Sequence, residues 1–118
     1  MKFTELQGRL IRFSVSILNL SEQLPKHYAG KHIGQQLIRS GTSPALNYAE
    51  ALAAESKADF IHKMKVCLKE LRETQVNLQI ILEKAYINST GFEQMNECSE
   101  LVAIFTSSIN TAKKKLNR

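Results

Sequence analysis

Arg39, Glu70 and Glu73 come closest to a reacting set, because two carboxylates and a guanidinium held together can move a proton. Such a site also needs a nucleophile, a histidine partner, a metal motif or a phosphate loop, and the sequence supplies none beside them. His27, His32 and His62 stand apart and are expected on the surface. Cys67 and Cys98 have no CxxC spacing, which predicts buried thiols in a reducing compartment instead of a disulfide or metal centre. Arg39 recurs on one helix face with Ser43, Asn47 and Glu50, and the next helix offers Glu70 and Glu73 as partners. These six residues are read as a structural hydrogen-bond network fixing helix register, with Arg39 paired to Glu70 or Glu73 inside the bundle. No catalytic residue, metal, cofactor or small-molecule substrate is expected.

A second kind of chemistry, phosphate binding, has more support. The chain carries a net charge of +5 and a sequence pI of about 9.4, a bias towards polyanions and acidic partners. Lys65, Lys69 and Arg72 share a face at i, i+4 and i+7, and Lys113, Lys114, Lys115 and Arg118 form a basic tail. The same residues also fit a solvated face and a charged terminus. Aromatic side chains do not interleave with these charges, so phosphate-backbone binding is expected and base reading is not.

The elements that must carry these residues follow from composition. A chain of 118 residues suits one domain that buries one modest core. Of its 5 Gly and 2 Pro, all but Gly8 gather at Pro25 to Gly34, Gly41 to Pro44 and near Gly91, and good helix formers fill the rest. No β-branched run alternates cleanly, so the chain reads as all-α. Helix 1 is predicted over about Thr4–Leu24, with Thr4 and Gln7 at capping-box spacing and Leu6, Leu10, Phe13, Ile17, Leu20 and Leu24 in steps of three and four. Pro25 ends it. Helix 2 is predicted over Ala29–Ala54, with Ile33, Leu37, Leu46, Ala51 and Ala54 among its apolar positions. Pro44 in its middle predicts a kink or short break, and its small residues let a neighbour approach closely.

Ser56 and Asp59 form the cap of helix 3, predicted over Lys57–Ile87 with a stripe of Phe60, Met64, Cys67, Leu71, Leu78, Leu82 and Ala85. Asn88 to Gly91 reads as a turn. Helix 4 follows over Phe92–Asn117, with Met95, Cys98, Val102, Phe105, Ile109, Ala112 and Leu116 on its stripe and Leu101 and Ile104 widening it. Four helices with short connections predict an antiparallel up-down-up-down four-helix bundle. No signal peptide and no transmembrane stretch is visible, so a cytoplasmic protein is expected.

One bundle cannot use all of this apolar surface. Ile11, Val15 and Leu18 lie opposite the main stripe of helix 1, and Val76, Ile80 and Ile87 face away from Leu71 and Leu78 on helix 3. Aliphatics aligned on the outside of two long helices predict contacts between subunits, hence a homo-oligomer.

Three stretches carry a family resemblance: Arg39-Ser40-x-x-Ser43-x-x-x-Asn47-Tyr48-x-Glu50-Ala51, Ser56-Lys57-x-Asp59-Phe60-Ile61-x-Lys63-Met64 and Leu68-Lys69-Glu70-x-Arg72-Glu73-Thr74. Together they resemble the bacterial four-helix bundle family, also called the 23S rRNA intervening-sequence protein family, over roughly Leu6 to the end of helix 4. The resemblance implies an antiparallel bundle that forms a homopentamer. It also implies kinship with a basic pentameric accessory protein of diversity-generating retroelements, which associates with a reverse transcriptase and nucleic acid. The chain departs from the family pattern at Val76 and Asn77, where an aromatic pair is common, and at Pro44, where a small or aliphatic residue is usual.

The leading expectation is a non-enzymatic oligomer that binds RNA or a nucleic-acid-handling protein through basic surfaces. A protein–protein adaptor with no nucleic-acid role is the alternative. Binding that depends on salt separates the two.

Overall fold

The computed structural model describes residues 1–87 and 91–117. Four helices follow one another in the chain: α1 Phe3–Ser21, α2 Tyr28–Leu52, α3 Lys57–Glu83 and α4 Gly91–Leu116. Each packs on the next, and α4 returns to α1, which leaves α1 opposite α3 and α2 opposite α4 across the bundle. The result is an all-α antiparallel rod of 51 × 21 × 21 Å. Of the predicted turn at Asn88 to Gly91, residues 88–90 lie outside the described residues and Gly91 already opens α4.

Three-four spacing places one row of each helix along the rod axis, and those rows make the core. From α1 come Leu6, Leu10, Phe13, Ile17 and Leu20, with Leu24 just beyond, all buried. From the other helices come Leu37, Tyr48 and Ala51, then Met64, Cys67, Leu71, Leu78 and Ile81, then Cys98, Leu101, Phe105 and Ile109. Fully burying each large aliphatic contributes about 1.5–3 kcal/mol. Leu46, assigned to the core from sequence, is instead 69 % exposed, and Leu116 and Ala85 also face solvent. Leu46 misled because small residues (Gly41, Ala45, Ala51) carry much of the inward face of α2, so its largest side chains do not mark it.

The small residues of α2 allow a close approach to α1. A Cβ on Gly41 would stand 2.8 Å from Cγ2 of Ile17, inside van der Waals contact. Pro44 is buried and lies within an unbroken helix from Tyr28 to Leu52, so of the kink or short break expected there the break does not occur. Proline removes one helical donor, but α2 packs on both α1 and α3 along its length, and that packing holds the turn.

The helix ends correct several expected boundaries. α1 starts at Phe3 on Lys2, without a side-chain cap, so Thr4 and Gln7 form no capping box. It stops at Ser21, four residues before Pro25, and the segment to Leu24 continues in tight turns, with Leu24 N–H donating to Ser21 O. His27 caps α2, its Nδ1 accepting from Gly30 N at 3.1 Å. Ser56 caps α3 as expected, accepting from Asp59 N at 3.0 Å.

α3 ends at Glu83, short of Ile87. Tyr86 N–H donates to Ile81 O and Ala85 N–H to Leu82 O, with Ala85 at φ 57°. This is a Schellman ending in which alanine occupies the left-handed position usually filled by glycine. The chain then turns Ile87 back so that it packs partly buried against the core, not outward with Val76 and Ile80.

Candidate nucleic-acid interface

The six polar residues grouped from sequence separate into layers. Arg39 reaches Glu73 at 3.4 Å, but its side chain is 64 % exposed, so the pair lies on the surface and not inside the bundle. Glu50 likewise meets Lys63 at 3.4 Å on the outside. Asn47 lies deeper: its Nδ2 donates to Glu70 Oε1 at 2.9 Å and joins α2 to α3. Burial holds the Glu70 carboxyl above the usual carboxylate range, hydrogen bonds from Asn47 and Ser43 oppose that, and Glu73 adds to it. The Ser43 hydroxyl also lies 2.6 Å from Arg39 O, a second acceptor for its single proton.

The buried network is a different set. Thr74 Oγ1 lies 3.0 Å and Asn77 Nδ2 3.1 Å from Ser40 Oγ, and all three residues are buried. Asn77 therefore points into the bundle, and only Val76 of the departing pair lies on the outer face. Small polar residues give no sequence sign of burial, and this trio emerges only once the α2–α3 register is known. Cys67 and Cys98 are buried free thiols, as expected, and desolvation pushes both up to about 12. Tyr48 is wholly buried, edge-on to Phe105, and its hydroxyl has no partner; burial pushes it up to about 12. A bidentate pair from Arg9 to Glu97 closes the α1–α4 seam.

The basic residues are outward, as their spacing predicts. Lys65, Lys69 and Arg72 are exposed and line a shallow groove of ≈ 480 Å³ with Leu68, Glu73 and Val76. At 100° per residue these three, Val76 and Ile80 fall within one arc of about 80°. The outer face of α3 is thus basic towards its start and apolar towards its end. Two sites read separately from the sequence share one helix face.

Lys113, Lys114 and Lys115 are exposed on the last turn of α4, where positive charge also complements the helix dipole. Arg118 lies outside the described residues. The tail does not join the α3 basic face. Antiparallel topology brings the end of α4 beside the starts of α1 and α3, and there Lys115 shares a groove of ≈ 580 Å³ with Lys57, Phe3 and Phe60. The sequence reading gave none of those three a role in a site and placed Phe60 on the core stripe of helix 3. Their signal was available in the topology, which fixes the helix ends that meet.

The predicted outer stripes are largely present. Ile11 and Val15 are each 51 % exposed, Leu18 40 %, Val76 59 % and Ile80 47 %. They occupy diagonally opposite helices and so look out from opposite sides of the rod. Among the described residues no group of three or more His, Cys, Asp or Glu is placed to hold a metal ion. No described helix is long and apolar enough to cross a membrane.

Such features define an antiparallel four-helix bundle that carries its distinctive side chains outside the rod and fills its centre with core. More specifically, the chain belongs to the 23S rRNA-intervening sequence protein family, whose sequence profile matches residues 5–107. It is similar to a crystal structure, at 1.70 Å, of a protein of unknown function from the S23 ribosomal protein family of Bacteroides thetaiotaomicron. That likeness has 33 % identity and a TM-score of 0.83 and covers 93 % of this chain and 99 % of the other. No curated protein matches the sequence.

Proposed function

We propose that this protein is a non-catalytic assembly module that joins with copies of itself into a ring, a pentamer, and offers the repeated basic surface to RNA or an RNA-bound partner. The two apolar stripes carry the reading. They are different patches on opposite sides of one rod, and contacts between unlike patches generate rings when the rotation closes. A self-complementary two-fold dimer would need only one. The family resemblance supports five copies, and repetition multiplies the effective strength of weak phosphate contacts.

Gel filtration with light scattering tests the assembly, with an expected mass five times the 13.3 kDa of one chain. A monomer at micromolar concentration overturns it. Replacing Val15 and Ile80 with Glu should produce monomers that remain helical. Fluorescence anisotropy with a structured RNA, at low and physiological salt, tests the partner. Binding should weaken steeply with salt, and the triple change of Lys113, Lys114 and Lys115 to Gln should flatten that slope. No binding at low salt removes RNA from the reading. Leu68 and Val76, which line the α3 groove beside its three cations, favour a second reading in that case: an adaptor for an acidic, partly apolar protein segment.

A further inference from the structure

The groove at the end of the rod combines features that the α3 face lacks. Phe3, 57 % exposed, and Phe60 meet edge to face with ring centroids 6.4 Å apart, and Phe60 also packs on the core. Opposite them α4 contributes hydroxyls, Ser108 and Thr111, and Lys115. Lys57 comes from the first turn of α3. Among the described residues no acidic side chain lines this groove, although the chain has 11 acidic residues to place. Its ≈ 580 Å³ lies within the range of small-ligand clefts, about 300–1,000 Å³.

Each component suits one part of a nucleotide. An exposed aromatic ring offers a face to any base, and such stacking is tolerant of sequence. Two ammonium groups favour a phosphate, with Glu55 set in the adjoining groove on the far side of Phe3 and Lys57, and hydroxyls can pair with a ribose or a base edge. Bases in a duplex are stacked and paired, so an aromatic wall can take only an unpaired one.

We propose that this groove holds one unpaired nucleotide of a single-stranded RNA, the base against Phe3 and Phe60 and the phosphate at Lys57 and Lys115. The inference rests on the RNA reading above and deepens it. It turns a general affinity for phosphate backbones into a preference for single strands over duplexes. The base contact comes from the ends of α1 and α3, not from the lysine-rich faces.

The test compares a fluorescein-labelled oligouridylate with a blunt RNA duplex of equal length, binding to the full chain at low salt. Wild type should bind the single strand more tightly. Phe3→Leu keeps an apolar side chain at an exposed position, and should weaken single-strand binding about tenfold while leaving the duplex unchanged. Phe60→Leu should act the same way, with its thermal unfolding measured alongside because Phe60 also touches the core. Lys57→Gln should lower the salt slope for the single strand by about 0.7. If wild type binds both RNAs but the Phe3 and Lys57 variants match it on the single strand, this inference is overturned and the broader RNA reading stands. If wild type binds neither RNA, both are overturned.

Discussion

Replacing Ser40 with alanine removes a single oxygen from the α2–α3 seam, and the structure indicates what that oxygen does. Ser40 Oγ accepts from Asn77 Nδ2 at 3.1 Å and lies 3.0 Å from Thr74 Oγ1. Thr74 loses little, because its hydroxyl is also 2.9 Å from Glu70 O and keeps that acceptor. Asn77 has no such alternative, and only 7 % of it is exposed to water. A buried donor left without a partner costs about 1–3 kcal/mol. Ser40→Ala should therefore lose about 2 kcal/mol, which for a domain of this size lowers Tm by about 8 °C. Urea unfolding followed by far-UV circular dichroism measures this, at fixed protomer concentration because the proposed assembly would add to stability. Ser40→Ala combined with Asn77→Leu should recover much of the loss, since removing both partners leaves nothing unsatisfied. Arg39→Ala, one residue away but 64 % exposed, should cost less than about 1 kcal/mol. A Ser40→Ala loss below about 0.5 kcal/mol, or a double variant that merely sums the single ones, would refute the reasoning.

Two further perturbations test other parts of the structure. Ala85→Gly should raise stability by about 0.5–1 kcal/mol, because glycine accepts φ 57° without strain while giving back some unfolded-state entropy; a loss on urea unfolding would contradict the left-handed ending. Glu70→Gln should stabilise the protein at neutral pH. Burial raises the folded carboxyl above its unfolded value, so wild-type stability is fully present below the unfolded value and declines as pH rises through the folded one. The variant's advantage in Tm should vanish on acidification through the carboxylate range, and an advantage that persists in acid would exclude a charge effect.

The bundle was legible because apolar periodicity reports directly on which helix faces meet. The entire α1 row from Leu6 to Leu24 was readable, and so was the Ser56 cap, whose chemistry is local. Helix ends were less legible where their signals are nonlocal or atypical. Alanine at a left-handed position gives no warning, so α3 was extended through Ala85 to Ile87. The candidate sites divide in the same way. Outward lysines and aliphatics follow from helical phase alone. The Ser40–Thr74–Asn77 trio and the Phe3–Phe60 groove depend on which turns of separate helices come to rest side by side; short polar residues and Phe3 carry no periodicity of their own, and the periodicity of Phe60 marked it only as core. Arg39 failed for an energetic reason: its long side chain reaches water from the helix flank, so the guanidinium avoids desolvation.

The rod is not the same at its two ends. One end has Phe3, Phe60, Lys57 and the lysines of α4; the other has Tyr28, 87 % exposed, beside His32. In the ring proposed above, subunits joined side by side through α1 and α3 under cyclic symmetry would all point the same way along the axis. Such a particle has a front and a back, with every aromatic groove on a single rim. A flexible strand that met that rim would find several equivalent footholds in one plane, and the opposite rim would stay available to a different guest.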